Sequence, residues 1–181
     1  MAYVKQYVAL LRGVNVGRGN RLAMADVREL VAELGYLAPR TLLNSGNVVF
    51  SGPDVPTPDI AVQLQEALVA RLGLSTRVIV LTAEDLSAVI AENPLSAAEP
   101  SRLLLGFLAA DADRASLQEI EGRDWSPEAI VLGEHAVYLW CPNGVAHSPM
   151  LDSVSRAARE SITTRNWTTA LKLQSMLGQT Q

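Results

Sequence analysis

The order in which apolar periodicities follow one another constrains the fold of this chain more than any other feature. Over residues 1–82 it reads strand, helix, strand, strand, helix, strand. Tyr3 to Leu11, rich in tyrosine, valine and leucine, is the first strand, and the glycine-studded stretch Arg12 to Asn20 ends it. Met24, Val27, Leu30, Val31 and Leu34 then recur at helical spacing, with Gly35 as a left-handed stop and no capping side chain directly before Met24. Arg40–Asn44 and Val48–Ser51 are two short strands joined by a tight turn in which Gly46 takes the positive φ. Thr57-Pro58-Asp59 opens a second helix, the hydroxyl as cap, with Ile60, Leu64, Leu68 and Leu72 as its buried stripe. Val78 to Leu81 lacks polar alternation and suits a strand covered on both faces.

This is the order of a ferredoxin-like split β-α-β unit, and right-handed crossovers leave few alternatives. Four strands with helices on one face are expected. The first and second strands run parallel with the third between them. The loop after Leu11 and the turn at Ser45 therefore leave the same sheet edge, which makes Arg12 and Asn47 neighbours.

Beyond residue 82 the order partly repeats. Thr82 and Asp85 form a capping box for a short helix with Leu86, Val89 and Ile90, stopped by Asn93 and Pro94. A strand at Arg102–Ala109, a helix around Leu117 and Ile120, and strands near Ile130 and at Ala136–Cys141 follow. Ser148-Pro149 opens a helix with Met150, Leu151, Val154 and Ala158 inward; Trp167, Leu171, Gln174 and Leu177 lie along another, closed by Gly178. The expected fold is α+β, two related ferredoxin-like lobes with extra C-terminal helices. The expected division is a lobe at 1–82, a helix and linker at 83–100 with Asn93–Pro100 as the linker, and a second lobe at 101–181.

Charge and composition narrow the function classes. With 49% hydrophobic side chains the chain is not disordered, and a net charge of -4 excludes whole-surface attraction to nucleic acid or an anionic membrane. One cysteine makes no internal disulfide, and no apolar run approaches the roughly 20 residues of a spanning helix. The start mixes Lys5 and Gln6 into apolar residues without a cleavage signal, so a cytoplasmic protein is expected. The acidity is local: residues 83–134 carry a net -8, while 1–82 and 135–181 carry +2 each.

Four blocks carry a resemblance. Leu10-Leu11-Arg12-Gly13-Val14-Asn15-Val16-Gly17, Ser45-Gly46-Asn47-Val48-Val49-Phe50, Pro142-Asn143-Gly144 and Thr163-Thr164-Arg165-Asn166-Trp167 resemble the signature blocks of the domain-of-unknown-function 1697 family, essentially end to end. The resemblance implies a small, mostly bacterial protein with a two-lobed α+β fold and no established activity. Asn44 stands where the family often has glutamine, and Val145–Pro149 lacks the basic residues usual after the Pro-Asn-Gly block.

The glycine-rich stretch with Gly13, Gly17 and Gly19 lies between a strand and a helix, where backbone donors can cradle phosphate. It is neither G-x-G-x-x-G nor a P-loop, so familiar nucleotide sites are disfavoured. Arg12, Arg18 and Arg21 occur there with no acid among them, and a guanidinium fork holds a carboxylate or phosphate in bidentate fashion. Asn15, Asn44 and Asn47 add amides at the same expected edge. The candidate ligand-binding set is Arg12, Gly13, Asn15, Asn44, Ser45, Gly46 and Asn47, with Arg165 and Asn166 from the C-terminal segment, for a small anionic ligand. The competing reading makes the asparagines and arginines loop locks, and Arg165 the partner of Asp152 or Glu160, in a protein-interaction module. In that segment Thr164 or Asn166 caps the following helix, and Trp167 is core.

No catalytic acid, base or nucleophile is identifiable. His135, Cys141 and His147 are too few and too widely spaced for a metal site, and Cys141 ends an apolar strand where an inert thiol is usual. No metal or cofactor is expected. Tyr3, Tyr7 and Phe50 on the first sheet suggest an RNA-stacking face, but the third strand lacks the basic, doubly aromatic pattern that goes with it, so nucleic acid ranks third.

Overall fold

Strand pairing in the first part of the chain follows the split β-α-β order. In the computed structural model, which describes residues 4–95 and 99–178, the strands are Val4–Leu11 (β1), Leu37–Leu42 (β2), Asn47–Pro53 (β3) and Val78–Thr82 (β4). Their sheet order is β2-β3-β1-β4, each neighbouring pair antiparallel. Helices Met24–Glu33 (α1) and Thr57–Leu72 (α2) make the two crossovers. Tyr3 and residues 96–98 of the expected linker lie outside the described residues.

Alternation along β1 decides which side chains meet the helices. Tyr7, Ala9 and Leu11 share a core with Val48 and Phe50 of β3, Val78 and Val80 of β4, Leu30 of α1 and Leu64 of α2. Each fully buried Val, Leu or Phe among them is worth about 1.5–3 kcal/mol. Val8, Leu10, Ile79 and Leu81 are buried as well, so the sheet is covered on both faces, as the unbroken apolar run of β4 requires.

Two local expectations change. Pro56, not Thr57, is the N-cap of α2, and no side chain caps that end. The second strand starts at Leu37 rather than Arg40, because a register shift between Leu37 and Arg40, with Ala38 at φ +48, absorbs the donorless Pro39. The capping box of the next helix, Ala83–Ala91 (α3), forms in full. The Asp85 N–H donates to Thr82 Oγ1 at 3.0 Å and the Thr82 N–H to Asp85 Oδ2 at 3.2 Å.

The second lobe repeats the topology. Its strands are Leu103–Leu108 (β5), Ala129–Leu132 (β6), Ala136–Trp140 (β7) and Ile162–Asn166 (β8), in the order β6-β7-β5-β8 and again antiparallel. Arg114–Glu121 (α4) and Pro149–Ala158 (α5) are the crossover helices, and Leu104, Leu139, Leu117 and Val154 lie in their common core. β8 has no counterpart in the sequence reading, which passes straight to helix there. The final helix, Trp167–Leu177 (α6), buries Ala170, Leu173 and Leu177, whereas Leu171 is exposed and Trp167 only half-buried. Of the expected Trp167-Leu171-Gln174-Leu177 line, Leu177 is buried, while the stripe otherwise runs through Ala170 and Leu173.

The fold is α+β with two lobes. One compact unit comprises residues up to Leu86 with those from Leu173 on, the other Ser87–Lys172, so the division falls within α3 and within α6. Among the described residues no helix is long and apolar enough to cross a membrane.

Candidate functional site

The end of β1 and the start of β3 meet at one sheet edge. Leu10 pairs with Asn47, and the Leu11 N–H donates to the Gly46 carbonyl at 2.8 Å. Antiparallel pairing with β4 brings a third segment there, since Leu11 pairs with Val78 and the Arg12 N–H donates to the Arg77 carbonyl at 2.9 Å. The Thr76 hydroxyl donates to the Arg12 carbonyl. Three connections therefore converge, residues 12–23, 43–46 and 73–77. They carry Arg12, Arg18, Arg21 and Arg77 and no Asp or Glu. α1 begins at this edge, uncapped by any side chain and with Asp26 in its first turn.

The asparagines of the edge do different work from one another. Asn15, at φ +55, donates from Nδ2 to the Leu22 carbonyl at 2.8 Å and to the Asn44 carbonyl at 2.7 Å, and its Oδ1 accepts the Leu22 N–H at 2.9 Å. It ties the 12–23 loop to itself and to the neighbouring turn. Asn47 is 0% exposed; its Nδ2 donates to the Leu42 carbonyl at 3.0 Å and to Ser45 Oγ at 2.9 Å. A side chain so buried locks the turn and does not meet solvent. Asn44 is exposed, and Arg12 and Ser45 are half-buried.

The two candidate glycines also divide. At Gly46, φ +79, a Cβ would stand 2.6 Å from Val14 Cγ2 and 2.8 Å from Leu11 Cβ, so only glycine lets the turn close on the end of β1. Gly13, φ +65, has nothing within 4 Å of such a Cβ. Its surroundings are open, as approach of a ligand to the backbone would need.

Arg165 and Asn166 lie in the second lobe, on β8 rather than in a loop before α6. Arg165 pairs with Leu105 of β5 and is 9% exposed, with Nη1 donating to Thr163 Oγ1 and to the Thr164 carbonyl, both at 2.8 Å. Burial pulls its guanidinium down to about 10, still charged at neutral pH. Asn166 caps α6, its Oδ1 accepting the Thr169 N–H at 2.9 Å. Within the Pro142–Gly144 block, Arg102 donates to the Pro142 carbonyl and the Gly144 N–H to the Cys141 carbonyl at 3.0 Å. Cys141 is buried, which pushes its thiol up, away from the reactive thiolate.

The aromatic residues of the first sheet are occupied. Tyr7 and Phe50 lie in the core beneath the helices, ring centroids 5.7 Å apart, and Tyr36 packs on Phe50 at 4.8 Å. That face has no Tyr7 or Phe50 ring to offer a base. The sequence reading missed Thr76 and Arg77. Their signal was the strand order itself, because β4 neighbours β1 in any split β-α-β sheet and its first residues must stand beside Arg12.

Comparison with known proteins agrees with this architecture. A solved structure, the conserved bacterial protein SP0830 from Streptococcus pneumoniae, matches with a TM-score of 0.78 and 22% identity, over 97% of this chain and 99% of its own. At that identity the likeness bears on the fold alone. No curated protein matches the chain. The family model described as "Protein of unknown function (DUF1697)" matches residues 4–138, which takes in the Arg12 and Ser45 blocks, while the Pro142 and Thr163 blocks lie beyond it. With three quarters of its length so matched, the chain belongs to the DUF1697 family.

Proposed function

We propose that the first lobe binds a small anionic or phosphate-bearing ligand at the edge formed by the Arg12 loop and the Ser45 turn. The observation that supports this reading best is the convergence of three acid-free connections carrying four arginines on one edge. A guanidinium there attracts an anion through paired N–H donors, and the three connections carry a positive excess. Arg12 supplies charge, Gly13 leaves room for backbone approach, and the exposed Asn44 orients the ligand. Asn15, Ser45, Gly46 and Asn47 hold the loops in register. Arg165 and Asn166 belong to the second lobe, and the proposal is confined to the first.

A second reading, a protein-docking edge without a small ligand, is favoured by Val16 and Leu43, which are 69% and 57% exposed on the two loops that Asn15 ties together. Thermal denaturation of the wild type and Arg12→Gln, with nucleotides, sugar phosphates and organic acids, separates the two. A ligand at a hundred times its Kd stabilises by about 2.7 kcal/mol. Under the first reading the wild type gains this and Arg12→Gln does not. If no anion shifts either protein, the ligand reading is lost and the docking edge stands.

A further inference from the structure

Of the seven asparagines in the chain, only Asn143 is followed by glycine. The Pro142-Asn143-Gly144 block makes the first turn of the β7–α5 connection, where the Gly144 N–H donates to the Cys141 carbonyl at 3.0 Å. Proline at the second position and glycine at the fourth suit such a turn. Asn143, at its third position, is exposed, and among the described residues nothing bonds its carboxamide. The side chains of Asn15, Asn47, Asn93 and Asn166, by contrast, are held by hydrogen bonds. A Cβ on Gly144 would find nothing within 4 Å, so the space beside the Asn143–Gly144 peptide bond is open.

We propose that Asn143 is a site of spontaneous conversion to aspartate and isoaspartate, and that the Cys141–Gly144 turn governs its rate. The Gly144 nitrogen gives up its proton and attacks Cγ of Asn143, closing a cyclic imide while the carboxamide nitrogen leaves as ammonia. Water then opens the imide at either carbonyl, which yields aspartate or, with the main chain rerouted through Cγ, isoaspartate. No reagent other than water is needed. Glycine favours the first step, since no Cβ crowds the attacking nitrogen. The fold opposes it, because the same N–H is engaged by the Cys141 carbonyl and attack requires that bond to break. The residue before β5 braces the turn: the Arg102 guanidinium donates to the Pro142 carbonyl, and the Cys141 N–H donates to the Arg102 carbonyl at 3.0 Å. Conversion therefore waits on local opening. Its product places a carboxylate in residues 141–148, which hold no Asp or Glu, and isoaspartate lengthens the main chain just before the Ser148 cap of α5.

The test holds the folded chain, the chain unfolded in guanidinium chloride, Asn143→Gln and Arg102→Ala in warm, mildly alkaline buffer and follows each by peptide mapping with mass spectrometry. The peptide containing Asn143 should gain the mass of an amide-to-acid change and split into two isomers, while those holding Asn20 and Asn44, which precede arginine and serine, change more slowly. Asn143→Gln should abolish the change, because ring closure from the longer side chain is disfavoured. Folded wild type should convert about tenfold more slowly than the unfolded chain, the factor that one hydrogen bond of ordinary net strength represents. Arg102→Ala, with the Pro142 carbonyl released, should convert faster than folded wild type. Should that variant fail to fold, the folded and unfolded wild type still decide the matter. No conversion at Asn143 in the folded protein, over a time in which the unfolded chain converts to completion, overturns the site, as does the same gain in Asn143→Gln. Equal rates in the folded and unfolded chains, or a folded Arg102→Ala no faster than wild type, overturn control by the turn.

Discussion

Where β1 ends, the first lobe gathers Arg12, Arg18, Arg21 and Arg77 on connections without an acid. Where β5 ends, at the equivalent edge of the second lobe, residues 109–113, 133–135 and 159–161 carry Asp111, Asp113, Glu134 and Glu160 against Arg159. The strand order is the same in both lobes, so topology decides only where such an edge lies. Loop residues decide its chemistry. In the second lobe two of the acids, Asp111 and Asp113, serve the fold. Asp113 accepts the Ser116 N–H at 3.1 Å and its hydroxyl at 2.6 Å, bonds that hold its carboxyl below the usual range, and Asp111 accepts the Ser161 hydroxyl at 3.2 Å. The β1–α1 loop spans 12–23 where β5–α4 spans 109–113, and only the longer one presents exposed arginines.

The turns at the two edges are locked by different means, and substitutions can break or sharpen that contrast. Gly46→Ala should have the largest effect, about 3 kcal/mol, combining a positive-φ penalty with overlap against Val14 and Leu11. Gly13→Ala, which shares the positive φ without the overlap, should cost only about 1 kcal/mol. Urea denaturation of both variants checks the pair, and equal losses would mean that closure against β1 is not what Gly46 provides.

Next in size is Asn47→Ala. It removes the buried amide that donates to the Leu42 carbonyl and to the Ser45 hydroxyl and should cost about 2 kcal/mol by the same measurement. The opposite member of the equivalent pair in the second lobe is Ala136, facing Phe107 as Asn47 faces Leu10. There the turn is held from outside, by Arg114, whose guanidinium donates to the Gly133 carbonyl at 2.6 Å and the Glu134 carbonyl at 3.1 Å. Arg114→Ala, at an exposed position, should therefore lie within about 0.5 kcal/mol of wild type. A loss in Arg114→Ala as large as that in Asn47→Ala would erase the distinction between an internally and an externally locked turn.

Much of this is legible in the order of the amino acids. The alternation and stripes of residues 4–82 specify a split β-α-β sheet, and that topology alone puts Arg12 beside Asn47, because a third strand inserted between two parallel ones has one possible edge to turn at. β8 was not legible: Ile162-Thr163-Thr164-Arg165-Asn166 has no apolar alternation, and only pairing with β5 makes it a strand. The same pairing explains why a buried arginine stands where a loop before a helix was expected. The amide roles were illegible for another reason. Asn15, Asn44 and Asn47 are one residue type at one edge, and burial separates the locked side chains from the exposed one.

By itself, the sequence determined the element order, the two-lobed α+β class, the meeting of the Arg12 loop with the Ser45 turn, and the absence of acids from the connections at that edge, since periodicity and local turn chemistry are written residue by residue. Only the tertiary structure decided that the Arg77 carbonyl accepts the Arg12 N–H, that Asn47 is sealed from solvent, that the Tyr7 and Phe50 rings are core, and that Arg165 sits in a strand. Each of those depends on which distant segment packs or pairs against the residue, and register and burial across a sheet are properties of two or more chain segments together.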